Sequence, residues 1–427
     1  MANSQHSPKE KGPTAASSLH RGLEKSLAFL IFFFSATELG RHFWPTSALV
    51  YGIRVDYLSP TLYFLDLLIV MYLFVKLKLE HSLKIKNWYL KSVVPLLLVN
   101  LLFSTNPLAT ISWSLHLLLY AAFVFFLSSY TLSAIPHILI VAMFFQVALG
   151  GAQVALDHSF QGIFYWLGER AIAVGAPSIA TASFFGRTIL RAYGTFSHPN
   201  VLAGWLVVAC LIVVTRLIPT RKPTSSLTMW FSKTSIFVSL ALATIGVILT
   251  ESRTAALALF GGVVPLYYLR SRLARLTYFV FLFTTALTLL SSGALTRSLD
   301  LSILDRLRLQ EVSFAVLSKN PLFGSGANAS ITAATPLTKQ LGIVGLQPDH
   351  DSFTLFLSWF GIFGALAFVF SLKSKIINHK SLLLSVPLFP LLLLDHYLLT
   401  SPQGLFILLL YFRTGWHTDK LTSRFAD

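Results

Sequence analysis

Gly194-Thr195-Phe196-Ser197-His198-Pro199-Asn200 runs directly into Val201-Leu202-Ala203-Gly204-Trp205-Leu206-Val207-Val208-Ala209-Cys210-Leu211-Ile212-Val213-Val214-Thr215, fifteen residues without a charge. With the apolar residues continuing to Ile218, the run has the length and composition of a membrane-spanning helix. Its rim is unusual. Bilayer rims are generally marked by Trp, Tyr, Lys or Arg, whereas here an imidazole, a proline and an amide stand together. Ser197 suits the cap and Pro199 the first helical position, which accounts for two residues and leaves His198 and Asn200 over. A helix N-terminus also attracts anions, and Arg191 stands just upstream. Capping and direct ligand contact both fit this cluster.

The same apolar pattern recurs along the chain. Of its 427 residues, 55% are hydrophobic and only 12% charged, and mean hydropathy is +0.69, far from the balance of a soluble domain. Spans are predicted at 24–39, 59–75, 93–104, 108–129, 132–153, 200–218, 234–250, 254–269, 276–292, 352–372, 381–398 and 403–415. The fold expected is an all-α polytopic integral membrane protein of about twelve transmembrane helices. A tail at 1–23 precedes nine helices over 24–292. A large extracytoplasmic loop at 293–351 separates these from three more helices over 352–415, and a second tail closes the chain at 416–427. Residues Met1–Ser18 are rich in Ser, Pro and Lys and read as disordered. The first apolar run lacks a small-residue cleavage site, so no signal peptide is expected.

The formal charge of +16 invites a nucleic-acid partner, but its distribution argues for topology instead. Assigned to alternate sides of the spans with the N-terminal tail inside, 22 of the 33 Lys and Arg residues fall inside and 11 outside. That is the positive-inside bias, with both termini cytoplasmic in the cell membrane, and it implies no nucleic acid. Cys210 is the single cysteine, which excludes disulfides and a cysteine metal site.

The outside set is dominated by Arg, whose planar fork suits phosphate and carboxylate and keeps its charge on burial. Arg41, Arg54 and Arg297 read as interfacial anchors to membrane lipids. Arg191 and Arg253 lean towards binding. Arg253 sits in the tight turn Thr250-Glu251-Ser252-Arg253-Thr254, where it either pairs with Glu251 or meets a phosphate at headgroup level. The large loop carries Leu304-Asp305-Arg306-Leu307-Arg308 on an amphipathic stretch predicted from Asp305 to Leu317. It then carries Asn320-Pro321-Leu322-Phe323-Gly324-Ser325-Gly326 and closes with Pro348-Asp349-His350-Asp351. Arg306 and Arg308 compete for one role, since either could be the solvated face. His350 is the general-base candidate because imidazole titrates near neutrality. Asp395-His396-Tyr397 forms a second polar cluster, read either as a packed hydrogen-bond set or as a functional one. Asp349 and Asp351 alone make a poor metal site.

In order, Arg191-(x)2-Gly-Thr-Phe-Ser-His-Pro-Asn, Ser252-Arg253-Thr, Arg306 with Asn320-Pro-Leu-(x)-Gly-(x)-Gly, and His350-Asp-Ser-Phe leading to Gly361-(x)2-Gly364 resemble the O-antigen ligase family, which includes related polysaccharide polymerases. The resemblance implies a GT-C-like multi-helix glycosyltransferase with its site at the outer membrane face. It implies a donor glycan linked to undecaprenyl diphosphate, a glycan, lipid or protein acceptor, and neither cofactor nor metal. By the same resemblance Arg191, Arg253 and Arg306 would hold the diphosphate and His350 would deprotonate or orient the acceptor. Arg308, His198, Asn200, Asp351 and His396 would support them. Three positions depart from the family pattern. Asp351 stands where Asn is common, Trp359 where an acidic residue is common, and Gln310 where the loop helix usually has Trp.

A secondary transporter of bicarbonate or another anion is the reading from a different class. It would show internal repeats and paired broken helices near mid-membrane. No repeat is visible, and the Gly/Pro motifs lie at span edges.

Overall fold

A computed structural model describes residues 15–80, 87–184, 187–218, 226–264, 297–340, 346–373 and 386–415. The chain is mostly helical. Helices run α1 (Ala15–Phe34), α2 (Phe64–Glu80), α3 (Asn87–Leu102), α4 (Pro107–Phe125), α5 (Ser129–Leu156), α6 (Pro199–Leu217), α7 (Ser226–Thr250) and the short α8 (Arg253–Ala258). The loop supplies α9 (Arg297–Lys319) and α10 (Ser330–Gln340). Then follow α11 (Ser352–Lys373), α12 (Phe389–Leu394), α13 (Tyr397–Thr400) and α14 (Pro402–Gly415). Among the described residues, four helices, over Pro107–Phe125, Thr131–Leu156, Pro199–Leu217 and Met229–Thr250, are long and apolar enough to cross a membrane. The span expected at 276–292 and most of both tails lie outside the described residues; α1 begins at Ala15, inside the stretch read as disordered.

α6 is the hub. All of Leu202–Val214 is buried, and the helix packs against α5, α7 and α14. A helix apolar on every face belongs in an interior. Gly204 permits the close approach here, because a Cβ at that position would overlap the Tyr397 ring.

The connections expected outside meet one another at one end of the helices. Three antiparallel hairpins lie there, pairing Gly40–His42 with Thr61–Tyr63, Leu49–Val50 with Ile53–Arg54, and Thr181–Phe184 with Arg187–Leu190. These short ribbons qualify the all-α expectation. The Asn106 side chain caps α4, accepting from Ala109 N at 3.3 Å, and donates to Ser47 O and Thr332 Oγ1. Asn328 donates to Tyr57 O, so the first loop, the α3–α4 turn and the large loop are stitched together.

Two helices depart from the expected spans. The stretch 381–398 is not one helix where it is described, but α12 and α13 divided at Asp395, which is extended (φ −155°, ψ 153°). α11 is broken at Gly361 (φ 63°, ψ −171°), a conformation essentially confined to glycine. The unwound turn is not left unpaired. Ser325 N and Gly326 N donate to Ser358 O and Trp359 O at 2.8 and 3.1 Å, while Ile362 N and Phe363 N donate to Pro321 O and Leu322 O. The Asn-Pro-Leu-(x)-Gly-(x)-Gly motif therefore lies along the break as a short partner strand. Asn100 of α3 seals it, donating to Trp359 O at 2.7 Å and accepting from Ala327 N at 2.7 Å.

At Gly361 a Cβ would collide with the Leu322 carbonyl. Gly361→Ala is expected to destabilise the protein by on the order of 3 kcal/mol, read as a lower thermal midpoint in detergent. An unchanged midpoint would contradict the paired-break description.

Candidate functional site

His198, not Ser197, caps α6. Its Nδ1 accepts from Asn200 N at 3.2 Å, and Pro199 takes the first helical position as expected. Ser197 Oγ turns away and donates to Glu38 Oε1 at 2.8 Å. The imidazole left over by the sequence thus serves as cap acceptor, a role for which Nδ1 must carry a lone pair. Asn200 is employed too: its Oδ1 accepts from Arg191 Nη2 at 2.8 Å, while Arg191 Nε donates to Thr250 O at the end of α7. Both Arg191 partners are neutral acceptors. Its charge is held in place without being cancelled by a contact carboxylate.

His350 comes from the other half of the chain. Asp349 is buried and accepts from Asp351 N at 3.0 Å and from the Thr354 hydroxyl. Asp351 caps α11 through Phe353 N at 2.9 Å. Its other carboxylate oxygen accepts from Gln310 Nε2 at 3.2 Å, which ties the start of α11 to the loop helix α9. Ser352 Oγ donates to Asp395 O at 2.8 Å. These bonds bring the His350 ring to the α12–α13 break, with Nδ1 3.7 Å from Asp395 Oδ1 and ring centroids 5.1 Å from His396.

The arginines separate into distinct settings. Arg306 Nη1 donates to Leu394 O at 3.0 Å, next to Asp395. Arg308 faces solvent, 3.7 Å from Asp305. Of the two competitors, Arg306 is therefore the one at the His350 cluster. Ser252 caps α8 and leaves Arg253 exposed at its first position. Glu251 adopts a positive φ of 49° beside it, and no ion pair joins them among the described residues. Arg253 is within electrostatic range of Arg191, as Arg306 is of Asp395 and His396.

A cavity of about 910 Å³ is lined by His198, Asn200, His350, Asp395 and His396 together with Glu38, Arg170, Trp44, Tyr57, Trp113 and Trp166; Arg191, Arg253 and Arg306 are not among its lining residues, although Arg191 bonds to Asn200 and Arg306 to the carbonyl before Asp395. Its walls are mixed, aromatic faces alternating with charged and hydroxyl groups, as suits a sugar more than a purely apolar ligand. Glu38 escaped the sequence reading because it closes an apolar run and looks like a span terminus. Arg170 did so because it reads as loop charge; it lies 3.6 Å from Asp56. The donor atoms of His350, Asp395 and His396 lie within 4.8 Å of one another, a set able to hold a metal ion. Their separation in sequence hid that cluster.

Residues 238–369 match the O-antigen ligase family. No curated protein matches the chain, and no solved structure does.

Burial, reinforced by the nearby Arg191 cation, pushes His198 down to about 4. An unfolded His titrates near 6.5, so the unfolded chain binds this proton more readily than the folded one. The associated stability is present above about pH 6.5 and is lost as pH falls towards 4. His198→Asn keeps a capping side chain and removes the titration. Its thermal midpoint should fall less steeply than that of the wild type between these pH values; parallel curves would refute the assignment.

Proposed function

We propose that this O-antigen ligase-like chain moves a glycan from undecaprenyl diphosphate to an acceptor hydroxyl at the outer face of the cytoplasmic membrane. The family match supports an O-antigen ligase or polymerase-like membrane enzyme, and the finer assignment is our reading of the site. One observation carries it. His350 lines a cavity roomy enough for sugars, and beside its lining residues Asn200 and Asp395 stand two guanidinium groups with neutral contact partners, Arg191 held by Asn200 and Arg306 by the Leu394 carbonyl, which supports the reading.

The chemistry follows from the parts. The acceptor oxygen attacks the anomeric carbon as its proton passes to His350. The bond from that carbon to the diphosphate oxygen breaks, and the electron pair leaves with undecaprenyl diphosphate. Diphosphate departs readily once fixed positive charge meets its developing charge. Arg191, Arg253 and Arg306 have that role, with Arg191 preorganised by Asn200 and Thr250. What remains is alignment and activation of the hydroxyl, for which a positioned imidazole suffices. The acceptor is a glycan, lipid or protein hydroxyl. A lipid-core acceptor makes the enzyme a ligase, and a growing glycan makes it a polymerase.

Two experiments test this reading. In proteoliposomes holding an undecaprenyl-diphosphate glycan and candidate acceptors, the wild type should release undecaprenyl diphosphate. His350→Ala should lower release by about 10²–10⁴-fold, with insertion unchanged. Transport of the glycan without bond cleavage, or full turnover by His350→Ala, would sink the assignment. In a second experiment, single cysteines introduced at positions 198, 253 and 350 should all label from the non-cytoplasmic side, against the background of buried Cys210. Labelling from opposite sides would break the site apart.

A further inference from the structure

We propose that Asp395 is the positioning residue of His350, holding Nδ1–H so that Nε2 presents its lone pair to the acceptor hydroxyl. This rests on the transferase reading of the same site. Asp395 lies 45 positions beyond His350 (395 − 350) and is brought to it by the helix break. Its backbone is secured on both sides: Ser352 Oγ donates to Asp395 O, and Arg306 donates to the preceding carbonyl of Leu394. Of the carboxylate oxygens, Oδ1 accepts from His396 N at 3.1 Å. Oδ2 is buried without a partner, and so is His350 Nδ1.

His350 Nδ1, a buried ring nitrogen that can donate, lies 3.7 Å from Oδ1 of the carboxylate whose other oxygen, Oδ2, is buried and unpartnered. That is a little under 1 Å beyond the roughly 2.9 Å of a formed bond. Catalytic hydrogen bonds commonly stand long without substrate and tighten in the complex. His396 Nδ1 lies 2.7 Å from Thr400 Oγ1, and Arg306 places Nη1 on Leu394 O. His350 is the imidazole whose Nδ1 stands nearest the carboxylate with no other partner.

The proton balance is simple. The hydroxyl proton moves to His350 Nε2, the imidazolium that forms is stabilised by the ionised Asp395, and solvent in the cavity takes the proton after glycan transfer. Asp395 itself is never protonated.

The test measures kcat and KM for undecaprenyl diphosphate release by the reconstituted full chain. Asp395→Asn should lower kcat by about 10²–10⁴-fold, the upper end being the cost of the same exchange in serine-protease triads, with KM changed less than about threefold. Asp395→Glu keeps the charge and should recover at least tenfold of the loss. Because Asp395 acts through His350, adding Asp395→Asn to His350→Ala should cost nothing further. Near-wild-type kcat in Asp395→Asn, an additive double variant, or a loss confined to KM would overturn the role. If Asp395→Asn fails to insert, Asp395→Glu decides alone: a kcat equal to that of His350→Ala overturns it, and a kcat at least tenfold higher supports it. Stoichiometric metal in the wild type, with activity lost to a chelator, would assign the cluster to a cation instead and also overturn it. Wild-type protein that releases no undecaprenyl diphosphate defeats the transferase reading itself, whereas turnover indifferent to Asp395 defeats only the positioning role.

Discussion

The backbone pairing between the broken α11 and the strand Pro321–Gly326 is the constraint on which the outer half of the molecule depends. A helix interrupted at Gly361 exposes carbonyls and amides that a bilayer cannot satisfy. Those groups find partners in one segment of the large loop, and the segment in turn holds the α3–α4 turn, since Thr105 N donates to Ser325 O and Thr110 Oγ1 to Ala327 O. Trp359, at a position where the resemblance implied an acid, is fully buried at this junction, its indole edge to Trp113 and its N–H on Ser330. An apolar residue there agrees with a role in packing. With the break fixed, the first turn of α11 is fixed, and His350 with it.

Charge is distributed on a consistent plan. Arg191 rests on a side-chain amide oxygen and a main-chain carbonyl, and Arg306 on a main-chain carbonyl. Such acceptors orient a guanidinium without neutralising it. Arg308 and Arg170, by contrast, face carboxylates. Direct contact with a carboxylate thus separates Arg308 and Arg170 from Arg191 and Arg306, a distinction that residue counting cannot make.

Much of the framework was legible locally. The α6 boundary followed from Pro199 and the uncharged run behind it, and the loop helix was found, although at 297–319 it extends well past the expected 305–317. Misreadings arose where a distant partner decides. Ser197 is a good cap by type, but Glu38 takes its hydroxyl and His198 replaces it. The stretch 381–398 is apolar enough for a single span, yet Asp395 divides it because its carbonyl and carboxylate serve Ser352 and His396. The hairpins at 40–63 are too short to leave an alternating signature. The pairing of His350 with Asp395 is non-local and leaves no spacing to read.

The Gln310–Asp351 hydrogen bond joins two of the three positions at which the sequence departed from the resemblance. The amide on α9 donates to the carboxylate that caps α11, so the loop helix and the capping residue form a matched pair. The pair is physically coupled: an aromatic at 310 would leave the acid without its donor, and an amide at 351 would change what that donor meets.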